Sequence, residues 1–508
     1  MKETLLIADR DNVVVALRNL GQGDVTDTGL RLATDVPAGH KLAIRRIPAG
    51  EMVVKYGYPI GVASADIQPG EHVHSHNLQS TLRGDISAND IGANDVVPAP
   101  RPSAPSARAD APEATFMGFR RPDGRVGIRN EIWIINTVGC VNNAAERIAA
   151  AATEELVRPG SNIDGVYAFK HPYGCSQLGH DLDHTQKVLA GLVHHPNAAA
   201  VLILGLGCEN NQLASFLGQV GPESAERVTS FNAQEVEDEV EEGLIRVRRL
   251  AQYAARFRRE PVPASELILG MKCGGSDGLS GITANPLVGK VASRLSELGG
   301  SVLLTEVPEM FGAENVLLER AISQEVAQDT IDLVNRFRAY FRRYDEPIDE
   351  NPAPGNKAGG ITTLAEKSLG CVQKAGHSPV ARVLEYGEAA PSRLCGTALV
   401  NAPGNDGVSS TALVAAGAHI VLFTTGRGTP MGFPAPTIKI STNSSLATRK
   451  PSWIDFDAGP IALGTSDFGA LSEQLFQLVL DVASGRQRTK SELNGFREIS
   501  IWKDGVTL

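Results

Sequence analysis

EIWIINTVGCVNNAAERIAAAATEEL, residues 131–156, decides the fold. It opens on an apolar run, turns at Gly139-Cys140, and continues with Ala and Ile among charged and amide residues. A strand apolar on both faces, followed by a helix, is half of a parallel-sheet unit. The same order recurs at AVLILGLGCE (200–209) and at ELILGMKCGGSDG (266–278), the latter followed by a helix near Pro286. Strand-like material returns at 398–401 and 418–424. The expectation is an α/β protein with largely parallel sheets, whose ligands gather at the carboxyl ends of the strands.

Outward from this region the pattern changes. Residues 1–92 carry short apolar runs (Val13 to Leu17, Lys41 to Arg45, Met52 to Val54) between Gly, Pro and Asp turns, which predicts a small, mostly β domain. Residues 93–114 hold five prolines among Ala and Ser, the composition of a semi-rigid linker. A second break at DEPIDENPAPGNKAGG (345–360) divides the rest into an α/β unit at 115–350 and a carboxyl-terminal α/β unit at 351–508.

Composition narrows the function. With 48 basic and 58 acidic residues the net charge is −10, so the chain lacks the positive field that nucleic acid or an anionic membrane requires. Its longest apolar windows fall short of the roughly 18–20 residues of a bilayer span, and MKETLLIADRDN is neither a secretory nor a transit leader. The expectation is a cytoplasmic enzyme with a small-molecule substrate, no nucleic-acid or membrane partner, and a homo-oligomer as an open option. Six widely spaced cysteines predict thiols rather than a disulfide scaffold.

Several clusters could carry chemistry. GEHVHSHN places His72, His74 and His76 two residues apart, on one face if the segment is a strand, either as metal or anion ligands or as an exposed polar edge. KHPYGCSQLGHDLDH (170–184) gathers Lys170, His171, Cys175, His180 and His184, the last two one helical turn apart. GLGCENNQ (205–212) offers Cys208, Glu209, Asn210 and Gln212 at a strand end, for metal ligation, proton transfer or reading hydroxyls. In KCGGSDGLSGITANP the lysine precedes the glycines, which rejects a nucleotide-binding P-loop and leaves Cys273 as a metal candidate. Arg427 between two glycines and Lys439 suit a substrate carboxylate; Asn405, Asp406, Thr442 and Asn443 suit hydroxyls or caps. The Gly-Cys turns at Cys140, Cys175, Cys208, Cys273 and Cys371 also admit an iron-sulfur cluster, although no CxxC pair is present.

These motifs resemble the altronate and galactarate dehydratases, on HPYGCSQ (171–177), GLGCENNQ (205–212), KCGGSDGLSGITANP (272–286), TEVPEMFGAE (305–314), SLGCVQK (368–374) and TTGRGTPMGFPAPTIKISTNS (424–444). The first 92 residues, with VHSHN, resemble that family's SAF-type β-clip domain, and PTIKISTNS looks closer to the altronate enzymes. The resemblance implies loss of water from a sugar acid to give a 2-keto-3-deoxy acid. It also implies a divalent metal, usually iron: the expected cofactor is Fe2+, with Mn2+ as the alternative, while the Gly-Cys turns keep an iron-sulfur cluster as a less favoured option. The family includes lyases that release sulfite from sulfolactate, and a sugar-acid binding protein without turnover is a third option. Abstraction of the C2 hydrogen and loss of the 3-hydroxyl need a base, an acid and a positive site for the enediolate. The expected assignment gives metal binding to His72, His74, His76, Cys175, Cys208 and Cys273, and proton transfer to His171, Glu209 and Lys170. Substrate binding goes to Arg427, Lys439, Asn210, Gln212, Asn405, Asp406, Thr442 and Asn443.

Overall fold

In the computed structural model the described residues are 2–82, 84–87 and 114–507. The expected linker at 93–114 lies, apart from Ala114, outside them.

The amino-terminal region is built of short strands, as its turn-rich sequence predicts: β1 (Thr4–Leu5), β2 (Val13–Ala16), β3 (Lys41–Ala43), β4 (Met52–Lys55), β5 (Tyr58–Ala63), β6 (His72–Val73) and β7 (Leu78–Gln79). They form two antiparallel sheets, β1-β2-β3-β6 and β4-β5-β7. The expected histidine strand stops at Val73. Asn77 closes a turn there, accepting from the His74 N–H (2.9 Å) and donating to the His72 carbonyl (3.0 Å).

β8 (Thr115–Arg120) pairs with both β9 (Val126–Gly127) and β14 (Arg259–Pro263) in a small antiparallel sheet. Between them, β10 (Glu131–Asn136), β11 (Gly165–Phe169), β12 (Ala198–Gly205) and β13 (Val228–Asn232) form a parallel sheet ordered β11-β10-β12-β13. Every residue of β10 and β12 is buried, because helices cover both faces. These are α1 (Asn142–Leu156), α2 (Gly179–His194), α3 (Leu213–Val220) and α4 (Glu239–Ala254).

The second parallel sheet has seven strands: β15 (Ile268–Cys273), β16 (Ser301–Leu304), β17 (Val380–Leu384), β18 (Gly396–Val400), β19 (Ile420–Thr425), β20 (Thr437–Ser441) and β21 (Phe456–Asp457). Their order is β17-β18-β16-β15-β19-β20-β21. The sheet therefore takes strands from both sides of residue 350, where the sequence reading placed a boundary. The Pro-rich stretch around 352 is a surface crossing between α7 (Gln324–Arg343) and the short α8 (Pro354–Ala358), and the β-sheet hydrogen bonds run past it. The remaining helices that matter below are α5 (Ala284–Glu297), α6 (Glu314–Leu318), α9 (Leu364–Cys371) and α10 (Asp406–Ala415). No helix among the described residues is long and apolar enough to cross a membrane.

Candidate active site

At the carboxyl end of the seven-stranded sheet, adjacent strands β15 and β19 end in glycine-rich loops. The two loops are tied by the Gly426 and Arg427 N–H groups, which donate to the Gly275 carbonyl at 3.1 and 3.0 Å. Asp277 sits between them and accepts from Thr442 Oγ1 (3.0 Å), Asn443 Nδ2 (3.3 Å), Ser280 Oγ (3.1 Å) and the Leu279 N–H (3.1 Å). Burial pushes its carboxyl above the usual carboxylate range, and these hydrogen bonds oppose the rise only in part. It faces a cavity of about 370 Å³ whose wall includes Arg427, Asn443 and Arg449. Arg427 is exposed and spends one N–H on the Gly355 carbonyl at 3.3 Å, which leaves most of its fork for an anion. Three expected substrate groups, Arg427, Thr442 and Asn443, thus converge on Asp277, a residue the sequence reading passed over. Its signal was an acid in a Gly-rich loop directly after a buried strand.

The β-clip domain closes this cavity from the other side, with Gly39 in its wall. It is clamped there by buried charge. Glu366, on α9, accepts from Lys41 Nζ (2.8 Å), Lys55 Nζ (2.7 Å) and the Thr362 N–H (2.9 Å), all out of solvent. Burial alone would raise the Glu366 carboxyl, but the two ammonium groups outweigh it and hold the group well below its usual range. Lys41 is shifted the other way, down to about 8, because burial dominates its balance.

Beside the clamp stand four imidazoles. His40 stacks with His74, and His72 with His74, at 5.1 and 5.3 Å between centroids; His76 lies 5.5 Å from His72. His40 was absent from the expected set. His40 Nδ1 contacts His72 Nε2 at 3.0 Å, while His40 Nε2 and His74 Nε2 reach the carbonyls of Ala358 and Lys357 at 3.3 and 2.9 Å. Burial and the neighbouring rings push His72 down to about 3 and lower His40 and His74, so these rings are neutral at pH 7.

Beneath the cavity lies a buried thiol and carboxylate group. Cys273 Sγ is 3.4 Å from Cys371 Sγ, and Glu309 Oε2 lies 3.4 and 3.1 Å from the two sulfurs. Among the described residues this is the one set of three or more His, Cys, Asp or Glu residues whose ligand atoms all fall within 4.8 Å of one another. Three lysines surround it. Lys374 Nζ donates to Cys273 Sγ (2.9 Å) and Glu306 (3.2 Å), Lys367 pairs with Glu309 (2.7 Å), and Lys272 bridges Glu306 and Asp406 (2.8 Å to the latter). Glu306 adopts left-handed backbone (φ +70°), strain of the kind tolerated where a side chain must point one way. The Cys371 thiol is driven up by its bond to Cys273 and by burial. Two soft sulfurs and a carboxylate fit a divalent transition metal. A small void lined by Asp277, Glu366 and Cys371 lies between this group and the cavity.

The remaining expected residues lie elsewhere. On the four-stranded sheet His171 is buried, with Nε2 on the Asn136 carbonyl (2.9 Å) and Nδ1 accepting from the Tyr173 N–H (3.2 Å), so both nitrogens hold loop backbone. Glu209 accepts from the Leu206 and Gly207 N–H groups (3.0 and 2.7 Å) and from Thr137, anchoring its own loop. Burial opposes its ionisation, but these bonds keep its carboxyl low. Lys170 pairs with Glu146 (2.7 Å) at the surface. Asn210 accepts from the Ser176 N–H (2.7 Å), and Gln212 donates to the Glu209 carbonyl. His184 stacks on Trp502 at 5.1 Å, and Asp181 accepts from the Asp504 and Gly505 N–H groups, so that helix face holds the carboxyl-terminal tail. Asn405 caps α10, accepting from Gly407 and Val408 N–H. Lys439 and Lys272 flank Phe423 in register across β15, β19 and β20. Burial pushes Lys439 down to about 8. All six cysteines are free; Cys140, Cys175 and Cys208 are exposed.

Known proteins match this chain along nearly its whole length. The D-galactarate/altronate dehydratase C-terminal family model matches residues 264–507. The D-galactarate dehydratase/altronate hydrolase second domain matches 118–255, and the altronate/galactarate dehydratase SAF domain 2–81. Altronate dehydratase of Bacillus subtilis (strain 168) is 46% identical over the whole of both chains. That of Escherichia coli (strain K12) is 47% identical over 98% of each. The galactarate dehydratase (L-threo-forming) of Escherichia coli (strain K12) is 33% identical over 96% of this chain and 94% of its own.

Proposed function

The chain belongs to the D-galactarate/altronate dehydratase family of sugar-acid hydro-lyases, and from that premise we propose that it dehydrates altronate to the 2-keto-3-deoxy acid. The observation that carries the choice of substrate is the graded identity: 46–47% to two altronate dehydratases against 33% to the galactarate enzyme. In the reaction the C2–H bond breaks, a C2–C3 double bond forms, and the 3-hydroxyl leaves with a proton as water. The resulting enol ketonises, and no electrons are exchanged with an outside reagent.

The cavity beside Asp277 suits this chemistry. Arg427 binds the substrate carboxylate through its guanidinium fork, with Arg449 as a second positive charge on the same wall. Thr442 and Asn443 orient Asp277, and Asn443, in the cavity wall, reads a hydroxyl. Asp277, a carboxyl raised by burial at the cavity wall, moves the proton. The β-clip domain contributes Ala38 and Gly39 to the wall and narrows the cavity over these groups. Cys273, Glu309 and Cys371 would hold Fe2+, which when bound supplies positive charge for the developing enediolate.

The test is an anaerobic assay of the iron-loaded protein against altronate, galactarate and sulfolactate, scoring 2-keto-3-deoxy acid and sulfite. Turnover of altronate at least tenfold above the others is expected; preferred turnover of galactarate, sulfite release as the main activity, or no turnover overturns the reading.

A further inference from the structure

The buried pair Cys273 and Cys371 leaves unexplained three other thiols, which share one end of the four-stranded sheet. Strands β11, β10 and β12 are neighbours, and each runs into a Gly-Cys step: Gly174-Cys175, Gly139-Cys140 and Gly207-Cys208. The register pairs Asn136 with Leu204, so Cys140 and Cys208 each follow their paired residues by four positions. Ile135 pairs with Phe169, which brings the loop of Cys175 to the same edge. Strands stand about 4.8 Å apart, so the three loops begin within about 10 Å of one another.

These loops are built against each other. The Gly139 N–H donates to the Tyr173 carbonyl (2.8 Å), the Asn211 N–H to the Gly174 carbonyl (2.9 Å), and Asn211 Nδ2 to the Thr137 carbonyl (2.9 Å). The glycines are required by this contact: a Cβ on Gly174 would lie 2.1 Å from the Thr137 carbonyl oxygen, and one on Gly139 would lie 2.7 Å from that of His171. Gly174 and Gly207 also take positive φ (99° and 125°), and Ser176, after Cys175, takes +57°. Backbone packed this tightly fixes where the following side chains start.

A cysteine without a ligand is usually a buried small hydrophobe. All three here are exposed. Two further observations favour a bound group. Gln234 Nε2 donates to Cys208 Sγ at 3.5 Å, the kind of bond that tunes a ligating sulfur. Asn136 Oδ1 and Gln177 Nε2, buried at the same end of the sheet, have no hydrogen-bond partner.

We propose that Cys140, Cys175 and Cys208 bind a [4Fe–4S] cluster through three thiolates, leaving the fourth iron to a non-protein ligand. Three thiols suit a site-differentiated cluster, and the exposed loops leave room for one. Assembly from ferrous and ferric iron and sulfide forms three iron-thiolate bonds and releases three thiol protons, with no other oxidant or reductant. The site is separate from the cavity at Asp277, and its presence does not depend on the substrate being altronate.

The experiment uses the full chain, purified anaerobically and incubated with iron and sulfide, with acid-labile sulfide and protein-bound iron counted per chain. About four sulfides per chain are expected in the wild type, with about five irons, about four of them in the cluster and about one at the buried Cys273 group. Cys140→Ser, Cys175→Ser and Cys208→Ser should each cut labile sulfide at least fivefold, and the Cys395→Ser control should leave it unchanged. In a companion measurement without substitutions, iodoacetamide followed by mass spectrometry should label all three cysteines before reconstitution and spare them afterwards. Wild-type protein without labile sulfide, sulfide that survives in the triple variant, or unchanged labelling would overturn the proposal. Because the readout is sulfide and not turnover, it separates this site from the substrate assignment.

Discussion

A Cβ on Gly426 would lie 2.2 Å from the carboxyl carbon of Asp277, so the loop after β19 can cross the carboxylate only because residue 426 has no side chain. That contact couples the two loops that make the cavity and places Arg427 at its wall. Gly426→Ala should therefore lower kcat/KM by at least tenfold, through displacement of Asp277 and Arg427 together. Steady-state kinetics with altronate checks this, and unchanged kcat/KM would mean that the crossing is not needed for turnover.

Asp277→Asn keeps the shape and most hydrogen-bond geometry but removes the acid. The expected result is a fall in kcat of roughly 100-fold or more with KM changed less than threefold. A rise in KM at constant kcat would instead make Asp277 a binding group.

Arg427→Lys replaces a planar fork with a point charge. KM should rise roughly 10- to 100-fold, about 1.4–2.8 kcal/mol, while kcat changes little. The steady-state parameters of this variant decide it, and an unaltered KM removes Arg427 from carboxylate binding.

In protein loaded anaerobically with Fe2+ and no sulfide, so that no cluster assembles, Cys273→Ser and Cys371→Ser should each lower bound iron at least tenfold, with the far-ultraviolet circular dichroism unchanged. Iron retained in both variants would move the metal away from the buried group.

Glu366→Gln leaves Lys41 and Lys55 buried without a counter-charge, which costs on the order of 3–5 kcal/mol. Chemical denaturation should show it as an earlier transition. The carboxyl is held below its unfolded value of about 4.3, so the stability it contributes is complete above that pH and is lost as pH falls below it. The wild type's advantage over the variant should accordingly be full at pH 6 and shrink near pH 3.5.

Much of the architecture was legible because it rests on local chemistry. EIWIIN and AVLILG are apolar on both faces, and such runs are stable as strands between two helical layers, so parallel sheets followed from composition alone. The short Gly- and Pro-punctuated runs of the first 92 residues likewise permit little but short antiparallel strands. The sheet's passage across residue 350 was not legible, since a Pro-rich break looks the same between domains as between a helix and the next strand.

The site divided along the same line. Residue types with a narrow chemical use, Arg427 between glycines and Asn443 after a strand, stood out in the sequence, and they meet at Asp277. His171 and Glu209 stood out equally, yet their polar atoms are taken up by loop backbone, because an imidazole or carboxylate satisfies an N–H as readily as it moves a proton. The sequence by itself determined the strand and helix grammar, the Gly-Cys turns and the family, all of which are written in contiguous residues. Only the tertiary structure brought Cys273 to Cys371 across 98 positions, set Glu366 between two lysines of the β-clip domain, and put Asp277 against Gly426. Those relationships depend on which strands are neighbours in a sheet, and strand order is fixed by packing between segments far apart in the chain.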